Sequence, residues 1–231
     1  MDHVVYDRRR YPIVGVREGY AEWSRTYEAT VHDEMDVRLL ERLRAVDWPA
    51  ARMVLDLACG TGRIGRWLRR RCPGATLDGL DLTPEMLALA ARAGVYRGLH
   101  VGDVAATALP TGTYDLCTQA LADEHLADLA PLYREVRRVS KPGGAFVIVG
   151  YHPYFLMAGV PTHFDRAPGE SVTIRSYVHL FSDHAKAAHA AGFTLIELDE
   201  GLVDDARLAK KPQWKAYAGL PVSFVMVWSA R

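Results

Sequence analysis

The amino-acid sequence predicts an α/β protein built around a mainly parallel β-sheet. From about residue 52 to residue 150, short apolar runs alternate with apolar residues at helical spacing, which is typical of successive strand–helix–strand units. A glycine-rich turn follows the first apolar run, and aspartates occur at the ends of the first two runs. The length of 231 residues and the 49% hydrophobic content are sufficient for one large α/β domain.

The expected strands are apolar runs bounded by turn residues. Five of them precede residue 150 and two follow it: 53–58, 76–81, 96–101, 114–120, 145–149, 194–199 and 222–228. Helices are expected between these runs. One contains Ile64, Trp67 and Leu68, a second begins at Pro84, and a third carries Leu126, Leu129, Tyr133 and Val136. Residues 141–144 read as a turn, and a last helix is expected near Ser182.

Two segments lie outside this alternation. In the first segment, Tyr20, Trp23 and Tyr27 fall on one helical face. This face could pack against the sheet, or it could form an aromatic lid over the carboxyl ends of the strands. Open α/β sheets bind their ligands at those ends. Residues 151–181 form a long connection whose alternating stretch at 172–175 predicts an extra short strand.

Composition excludes several classes of protein. Lys and Arg number 28 and Asp and Glu number 28, and this balance argues against nucleic acid or an anionic membrane as a partner. Cys59, Cys72 and Cys117 form no C-x-x-C pair, so neither a disulfide framework nor a zinc knuckle is expected. We therefore expect a cytoplasmic protein, monomeric or homodimeric, that acts on a small molecule.

The glycine-rich turn contains the most informative residues. Gly60, Gly62 and Gly65 match the pattern G-x-G-x-x-G, and Asp81 ends the next expected strand. Glycine lets the backbone approach a ligand closely, and a carboxylate at the end of the second strand binds ribose hydroxyls. Alone, this combination would suggest a dinucleotide.

Three further features argue against a dinucleotide. Asp56 ends the first strand and points a carboxylate at the turn, which suits an ammonium group and is unfavourable beside a pyrophosphate. Asp103 follows the third strand, where the amino group of adenine could donate to it. The Tyr-x-x-x-Lys pair of short-chain dehydrogenases is missing. The expected ligand therefore contains adenine, ribose and an ammonium group but no phosphate.

Four stretches of the sequence resemble, in the same order, the motifs of class I S-adenosylmethionine-dependent methyltransferases: 54–62, 79–87, 102–104 and 139–144. The resemblance implies a Rossmann-like, doubly wound, seven-stranded sheet of order 3-2-1-4-5-7-6 with the last strand antiparallel. It also implies an N-terminal helical lid, an insertion after the fifth strand, and a single methyltransferase domain over residues 1–231.

The resemblance implies S-adenosyl-L-methionine as cofactor and a role for each motif residue. Gly60 and Gly62, with Ala58 in the same turn, would admit the methionine part, Asp56 its ammonium, and Asp81 the ribose. Adenine would lie between Leu82 and Met86, with Asp103 and Val104 at its amino edge. Gln119 would lie near the sulfonium, and Tyr27 would cover the methionine end. Two alternatives stay open: Asp56 could only hold the turn, and Leu82 and Met86 could be ordinary core residues.

Two histidines are candidates for a general base, because imidazole titrates near neutral pH. His125 follows the fourth strand and His152 the fifth. His125 could instead be a helix-start residue bound to backbone. Glu124 and His125 match the end of a Glu-x-x-Glu-His metal pattern, but Leu121 replaces the first glutamate, so no metal is predicted.

The function predicted from these residues is methyl transfer from S-adenosylmethionine to a small, largely apolar acceptor by in-line displacement. Hydroxyl oxygen is the preferred acceptor atom, followed by nitrogen or carbon. One alternative is a protein of the same fold that binds the cofactor without methylating, as a cyclase or regulator. A less favoured alternative is an NAD-dependent oxidoreductase.

Overall fold

The computed structural model describes residues 1–31 and 35–231. In this part of the chain, ten strands form two sheets. The strands are β1 (Ile13–Val14), β2 (Met53–Leu57), β3 (Thr76–Asp81), β4 (Gly98–Val101), β5 (Tyr114–Ala120), β6 (Ser140–Tyr151), β7 (His163–Ala167), β8 (Glu170–Ile174), β9 (Phe193–Leu202) and β10 (Pro221–Ala230).

The helices of the described residues connect and cover these strands. They are α1 (Val16–Trp23), α2 (Tyr27–Thr30), α3 (Met35–Leu40), α4 (Arg63–Arg71), α5 (Pro84–Arg92), α6 (Ala130–Val139), α7 (Pro153–Met157), α8 (Phe181–Ala190) and α9 (Asp205–Lys210). Short 3-10 turns occur at His3–Val5, Trp48–Ala50, Asp123–His125 and Pro212–Tyr217.

The larger sheet has seven strands in the order β4-β3-β2-β5-β6-β10-β9. The pairs from β4 to β6 are parallel, and β10 is antiparallel to both of its neighbours. When the seven strands of this sheet are numbered 1 to 7 in chain order, their order in the sheet is the predicted 3-2-1-4-5-7-6, with the last strand antiparallel. The predicted fold class is therefore confirmed. The topology brings the carboxyl ends of β2, β3 and β5 to one edge.

Both faces of this sheet are buried, because alternate residues of each strand face opposite layers. Leu55 and Leu57 of β2 belong to the core cluster that includes Tyr133 of α6 and Ala188 of α8. Val54 belongs to the opposite cluster, with residues of α4. The core therefore holds the strand ends rigidly on both sides.

Two predicted elements differ from the structure. The turn expected at residues 141–144 lies within β6, which already begins at Ser140; a register shift against β5 and a positive φ of 74° at Gly143 accommodate these residues in the strand. The helix expected from Leu126 begins only at Ala130, after the 3-10 turn of residues 123–125. Pro131 lies in its first turn, where a missing N–H leaves no helical hydrogen bond unmade.

The smaller sheet joins the N-terminal segment to the insertion after β6. β1 pairs in parallel with β8, and β8 pairs antiparallel with β7. The extra strand expected at 172–175 is therefore present as β8. The Trp23 ring stacks on the Phe164 ring, with centroids 5.3 Å apart. The helical face expected to carry Tyr20, Trp23 and Tyr27 is divided between α1 and α2, yet the three rings remain neighbours.

A search of the described residues for an apolar helix of bilayer-spanning length finds none.

Candidate active site

The glycine turn connects β2 to α4 at the carboxyl edge of the large sheet. Ala58, Gly60 and Gly62 have positive φ values of 51°, 54° and 79°, and the N–H of Gly62 donates to the carbonyl of Cys59 at 2.8 Å. A positive φ strains an alanine and is accessible to glycine. A Cβ built on Gly60 meets no atom within 4 Å, so open space lies over the turn.

Asp81 ties this turn to the end of β3. Its Oδ2 accepts from the N–H of Gly60 at 2.8 Å, and its Oδ1 accepts from the N–H of Thr83 at 2.9 Å. Burial raises the pKa of this carboxyl, and these backbone donors counteract part of that rise. Each carboxylate oxygen has a second lone pair, so Asp81 retains acceptor capacity for a ligand beside the turn.

Asp56 is bound by the chain itself. Its Oδ2 accepts from the hydroxyl of Tyr96 at 2.6 Å and its Oδ1 from the hydroxyl of Thr118 at 3.1 Å. Burial raises the pKa of Asp56 to about 6. These two donors come from Tyr96 and from Thr118 of β5 rather than from the glycine turn, and the expected contact of Asp56 with a ligand's ammonium stays a prediction.

Tyr96 is a site residue that the sequence reasoning missed. A Cβ on Gly65 would lie 2.0 Å from the Tyr96 hydroxyl, so the third glycine of G-x-G-x-x-G admits this ring. The motif itself carried the signal, because the third glycine of G-x-G-x-x-G allows another part of the chain to approach the helix closely.

The remaining motif residues differ in what they present to a ligand. The Leu82 side chain is exposed, whereas Met86 is 1% exposed and offers a ligand no surface, as in the core alternative. Asp103 is exposed and accepts from the N–H of Ala105 at 2.8 Å, and Val104 is buried beside it. Gln119 is buried in register with Leu57, and neither polar atom of its amide has a hydrogen-bond partner among the described residues.

A cavity of about 610 Å³ opens between the N-terminal helices, the end of β5 and the insertion. Its apolar walls are mainly aromatic: Tyr20, Trp23, Tyr27, Tyr151, Phe155, Phe164 and Trp214. The cavity lies at the carboxyl edge of the large sheet, because its lining includes Leu121 and Glu124, which follow β5, and Tyr151 at the end of β6. The lid interpretation of the N-terminal aromatic residues agrees with this arrangement.

His125 is hydrogen-bonded at both ring nitrogens. Nδ1 lies 2.8 Å from the carbonyl of Arg175, and since a carbonyl only accepts, Nδ1 carries the proton. Nε2 then accepts from the Tyr20 hydroxyl at 2.9 Å. Burial lowers the pKa of His125 to about 4, so the ring is neutral and unsuited to serve as a free base. The geometry matches the backbone-bound alternative and makes His125 a residue that positions Tyr20.

His152 is also engaged at both nitrogens and does not line the cavity. It is the N-cap of α7, where its Nδ1 accepts from the N–H of Tyr154 at 3.1 Å. Its Nε2 donates to Oε1 of Glu200 at 2.9 Å. His152 is therefore placed as a helix cap rather than as part of an acceptor pocket, and the expectation of a base at this position is not supported by its contacts.

Replacing Tyr20 by phenylalanine should lower the free energy of unfolding by about 1–3 kcal/mol, because it leaves the buried Nε2 of His125 without a donor. Urea denaturation measures this loss. Tyr154→Phe is the matched control, since Tyr154 is exposed, and it should change the free energy by less than about 0.5 kcal/mol. Equal losses in the two variants would contradict the Tyr20–His125 pairing.

No group of three or more His, Cys, Asp or Glu side chains with the arrangement of a metal site occurs within residues 1–31 and 35–231. The Glu124–His125 pair, which matches the end of the metal pattern, has a carboxylate-to-imidazole distance of 3.7 Å. His125 Nε2, the nitrogen nearest that carboxylate, already accepts from Tyr20. Each side chain of the pair is thus engaged separately, Glu124 by Thr162 and His125 by Tyr20 and Arg175.

Comparison with known proteins agrees with this geometry. Residues 55–148 match the family described as "Methyltransferase domain". The chain is 40% identical to the demethylmenaquinone methyltransferase of Thermus thermophilus over 119 residues, 48% of this chain and 54% of that protein. It is 32% identical to the malonyl-[acyl-carrier protein] O-methyltransferase of Halorhodospira halophila over 194 residues, 82% of this chain and 61% of that protein. The chain thus spans about half to three-fifths of the length of these curated relatives.

The fold is shared with solved structures. The crystal structure of an S-adenosylmethionine-dependent methyltransferase from Mesorhizobium loti matches with a TM-score of 0.64 at 24% identity, over 92% of this chain and 99% of that chain. The sheet order is that of the Rossmann-like methyltransferase fold. Residues 55–148, which include the glycine turn and Asp81, form a methyltransferase domain similar to those of class I S-adenosylmethionine-dependent methyltransferases, whose cofactor is S-adenosylmethionine.

Proposed function

We propose that this protein transfers a methyl group from S-adenosylmethionine to a small, largely apolar acceptor bound in the aromatic cavity. The observation that carries the proposal is the position of the cavity at the carboxyl edge of the large sheet, where Leu121 and Glu124 follow β5 and Tyr151 ends β6. Hydroxyl oxygen is the first choice of acceptor atom, before nitrogen or carbon. A single domain over residues 1–231, a cytoplasmic location and a monomeric or homodimeric state belong to the same proposal.

The residues at the sheet edge fit the cofactor. The open space over Gly60 suits the methionine part, and the spare acceptor capacity of Asp81 suits the two ribose hydroxyls. The unpartnered amide of Gln119 supplies a buried donor and acceptor near the same edge. We assign the adenine to exposed Leu82 and to Asp103 with Val104, and the cover of the methionine end to Tyr27.

The bound cofactor supplies a methyl group that is attached to a positively charged sulfur. This methyl group is transferred to a nucleophile by in-line displacement. The chain's part is to align the acceptor and exclude water, which is a proximity effect. Aromatic rings from the N-terminal helices and the insertion enclose the cavity, and its volume lies within the range of about 300–1,000 Å³ typical of small-molecule sites. Tyr20, held by His125, presents an ordered phenol to the acceptor.

Replacing Asp81 by alanine should weaken the binding of S-adenosylhomocysteine by about 1.5–3 kcal/mol, roughly 10- to 150-fold in Kd, because hydrogen bonds to a charged group are lost. Calorimetry measures the change. Asp47→Ala is the matched control, because this exposed aspartate precedes β2 at the opposite edge of the sheet. An unchanged Kd in folded Asp81→Ala would show that the ribose is bound elsewhere.

The two alternative functions give different results in simple assays. Formation of S-adenosylhomocysteine during turnover supports methyl transfer, whereas tight cofactor binding without its consumption would indicate a cyclase or regulatory role. Calorimetry with both cofactors tests the oxidoreductase reading. Submillimolar binding of NAD without binding of S-adenosylmethionine would overturn the proposed function.

A further inference from the structure

One carboxyl group of the cavity has an oxygen that no donor of the described chain satisfies. Glu124 lines the cavity, is 1% exposed and follows the carboxyl end of β5. Its Oε1 accepts from the hydroxyl of Thr162 at 3.1 Å, whereas its Oε2 is buried and has no hydrogen-bond partner within residues 1–31 and 35–231. A buried polar oxygen left unpaired costs about 1–3 kcal/mol, so a ligand's donor that reaches Glu124 from the cavity would recover this cost.

Three other titratable groups in or beside the cavity are already engaged or exposed. His125 uses both nitrogens. Nδ1 of His163 donates to the carbonyl of Pro161 at 2.9 Å, and the Arg9 guanidinium approaches its Nε2 at 3.2 Å. Asp165 is exposed and accepts from the hydroxyl of Ser171. Glu124 differs from these three groups because it combines burial with a free acceptor oxygen.

The surroundings of Glu124 determine its charge state. Burial and the neighbouring carboxylate of Asp123 raise the pKa of Glu124 to about 8. His125 on the same turn is neutral, and the phenols of Tyr20 on α1 and Tyr27 on α2 line the same cavity as Glu124. From the insertion, Thr162 contributes an uncharged hydroxyl. Glu124 is thus mostly protonated at neutral pH and becomes a carboxylate as the pH rises through about 8.

We propose that Glu124 binds the acceptor's hydroxyl through Oε2 and accepts its proton during methyl transfer, so that the acceptor is a small alcohol or phenol with an apolar body. The inference rests on the proposed function. The acceptor's O–H bond breaks and its proton moves to Oε2, while the oxygen lone pair forms the new O–C bond. The electrons of the broken C–S bond remain on sulfur. The negative charge of the Glu124 carboxylate and the positive charge of the sulfonium are thus both neutralised.

The first test measures the carboxyl itself in the cofactor-free, full-length chain. Carbon-13 NMR of labelled glutamate side chains should show one carboxyl titrating near pH 8. This signal should be absent from Glu124→Gln and present in Glu170→Gln, which makes the same chemical change at an exposed position of β8. Absence of any glutamate titrating above about pH 6.5, well above the usual Glu range, would overturn the proposal.

The second test measures recognition of a hydroxyl with 4-fluorophenol and its methyl ether 4-fluoroanisole, observed by fluorine-19 NMR. A phenol titrates near pH 10, so the probe keeps its proton at pH 9. The preference for the phenol over the ether should increase about tenfold between pH 6.5 and pH 9, because a charged acceptor strengthens the hydrogen bond. The increase should occur in wild type and Glu170→Gln and be missing in Glu124→Gln.

The same probe follows the proton transfer once S-adenosylmethionine is added, since methylated 4-fluorophenol is 4-fluoroanisole. The rate of 4-fluoroanisole formation should increase as the pH rises through about 8. In Glu124→Gln this rate should be lower by roughly 100-fold or more. A pH-independent preference in wild type, an equal increase in Glu124→Gln, or bound phenol that is never methylated at pH 9 would each contradict the proposal.

These outcomes separate the two proposals. The titration and the binding preference need no cofactor, so they can succeed in a protein that never forms S-adenosylhomocysteine; the proposed function alone would then fail. A protein that forms S-adenosylhomocysteine with other acceptors but shows no Glu124-dependent preference for a hydroxyl would retain the proposed function and lose this inference.

Discussion

Replacing Gly65 by alanine should lower the free energy of unfolding by about 3–5 kcal/mol, the largest single effect expected in the glycine turn. The added Cβ would lie 2.0 Å from the Tyr96 hydroxyl and 2.3 Å from its ring carbon Cζ, so the ring must leave. Asp56 would then lose its 2.6 Å hydrogen bond while remaining buried. Urea denaturation of the variant gives the loss directly.

Two comparisons make this expectation specific. Gly74→Ala is the matched control, because a Cβ at Gly74 meets only the Arg52 guanidinium, 3.6 Å away, and its φ lies outside the left-handed region; it should change stability by less than about 0.5 kcal/mol. In a Tyr96→Ala background the clash is absent, so Gly65→Ala should cost little there. Equal costs of Gly65→Ala in both backgrounds would show that Tyr96 is not the reason for the glycine.

Replacing Glu124 by glutamine should remove a large part of the pH dependence of stability. In the folded protein the pKa of Glu124 is raised from 4.5 to about 8, so between these pH values the folded state holds a proton that the unfolded state has lost. The contribution of this group to stability therefore falls by about 1.4 kcal/mol per pH unit as the pH rises from about 4.5 to about 8, and is constant above.

The measurement is the difference between wild type and variant, because Asp56 and Asp81 also have raised pKa values and contribute to both curves. Urea unfolding is measured at pH 5.0, 6.5, 8.0 and 9.0. The free energy of unfolding of Glu124→Gln relative to that of wild type should increase up to pH 8 and stay constant above it. Glu170→Gln should follow the wild-type curve throughout. A difference between Glu124→Gln and wild type that does not vary with pH would rule out a buried, protonated Glu124.

The parts of the fold that the sequence predicted are those fixed by local pattern. β3 was predicted with its observed bounds because a short apolar run ends in Asp81 and is followed by Pro84 in the first turn of the next helix. The turn from Ala58 to Gly62 followed from glycine spacing alone. By contrast, the continuation of β6 through residues 140–144 depends on pairing with β5, which local turn residues do not reveal.

The site was less predictable, because its hydrogen bonds join residues far apart in the chain. His125 is one of two candidate bases in the sequence, but the carbonyl of Arg175 and the hydroxyl of Tyr20 set its tautomer, and burial lowers its pKa. His152 is engaged by Glu200, on another strand. Such partners are known only after the chain has folded, so residue type and position identified the neighbourhood of the chemistry without identifying the role of each group.

The pairing of β1 with β8 bears on how the acceptor site can change through evolution or design. The N–H of Thr173 donates to the carbonyl of Pro12, and the N–H of Arg175 donates to the carbonyl of Val14, so the N-terminal segment completes the edge of the insertion's sheet. Transplanting the insertion alone would leave an unprotected strand edge, which favours aggregation. The N-terminal segment and the insertion would therefore have to be exchanged together, while the strands that bind the cofactor stay the same.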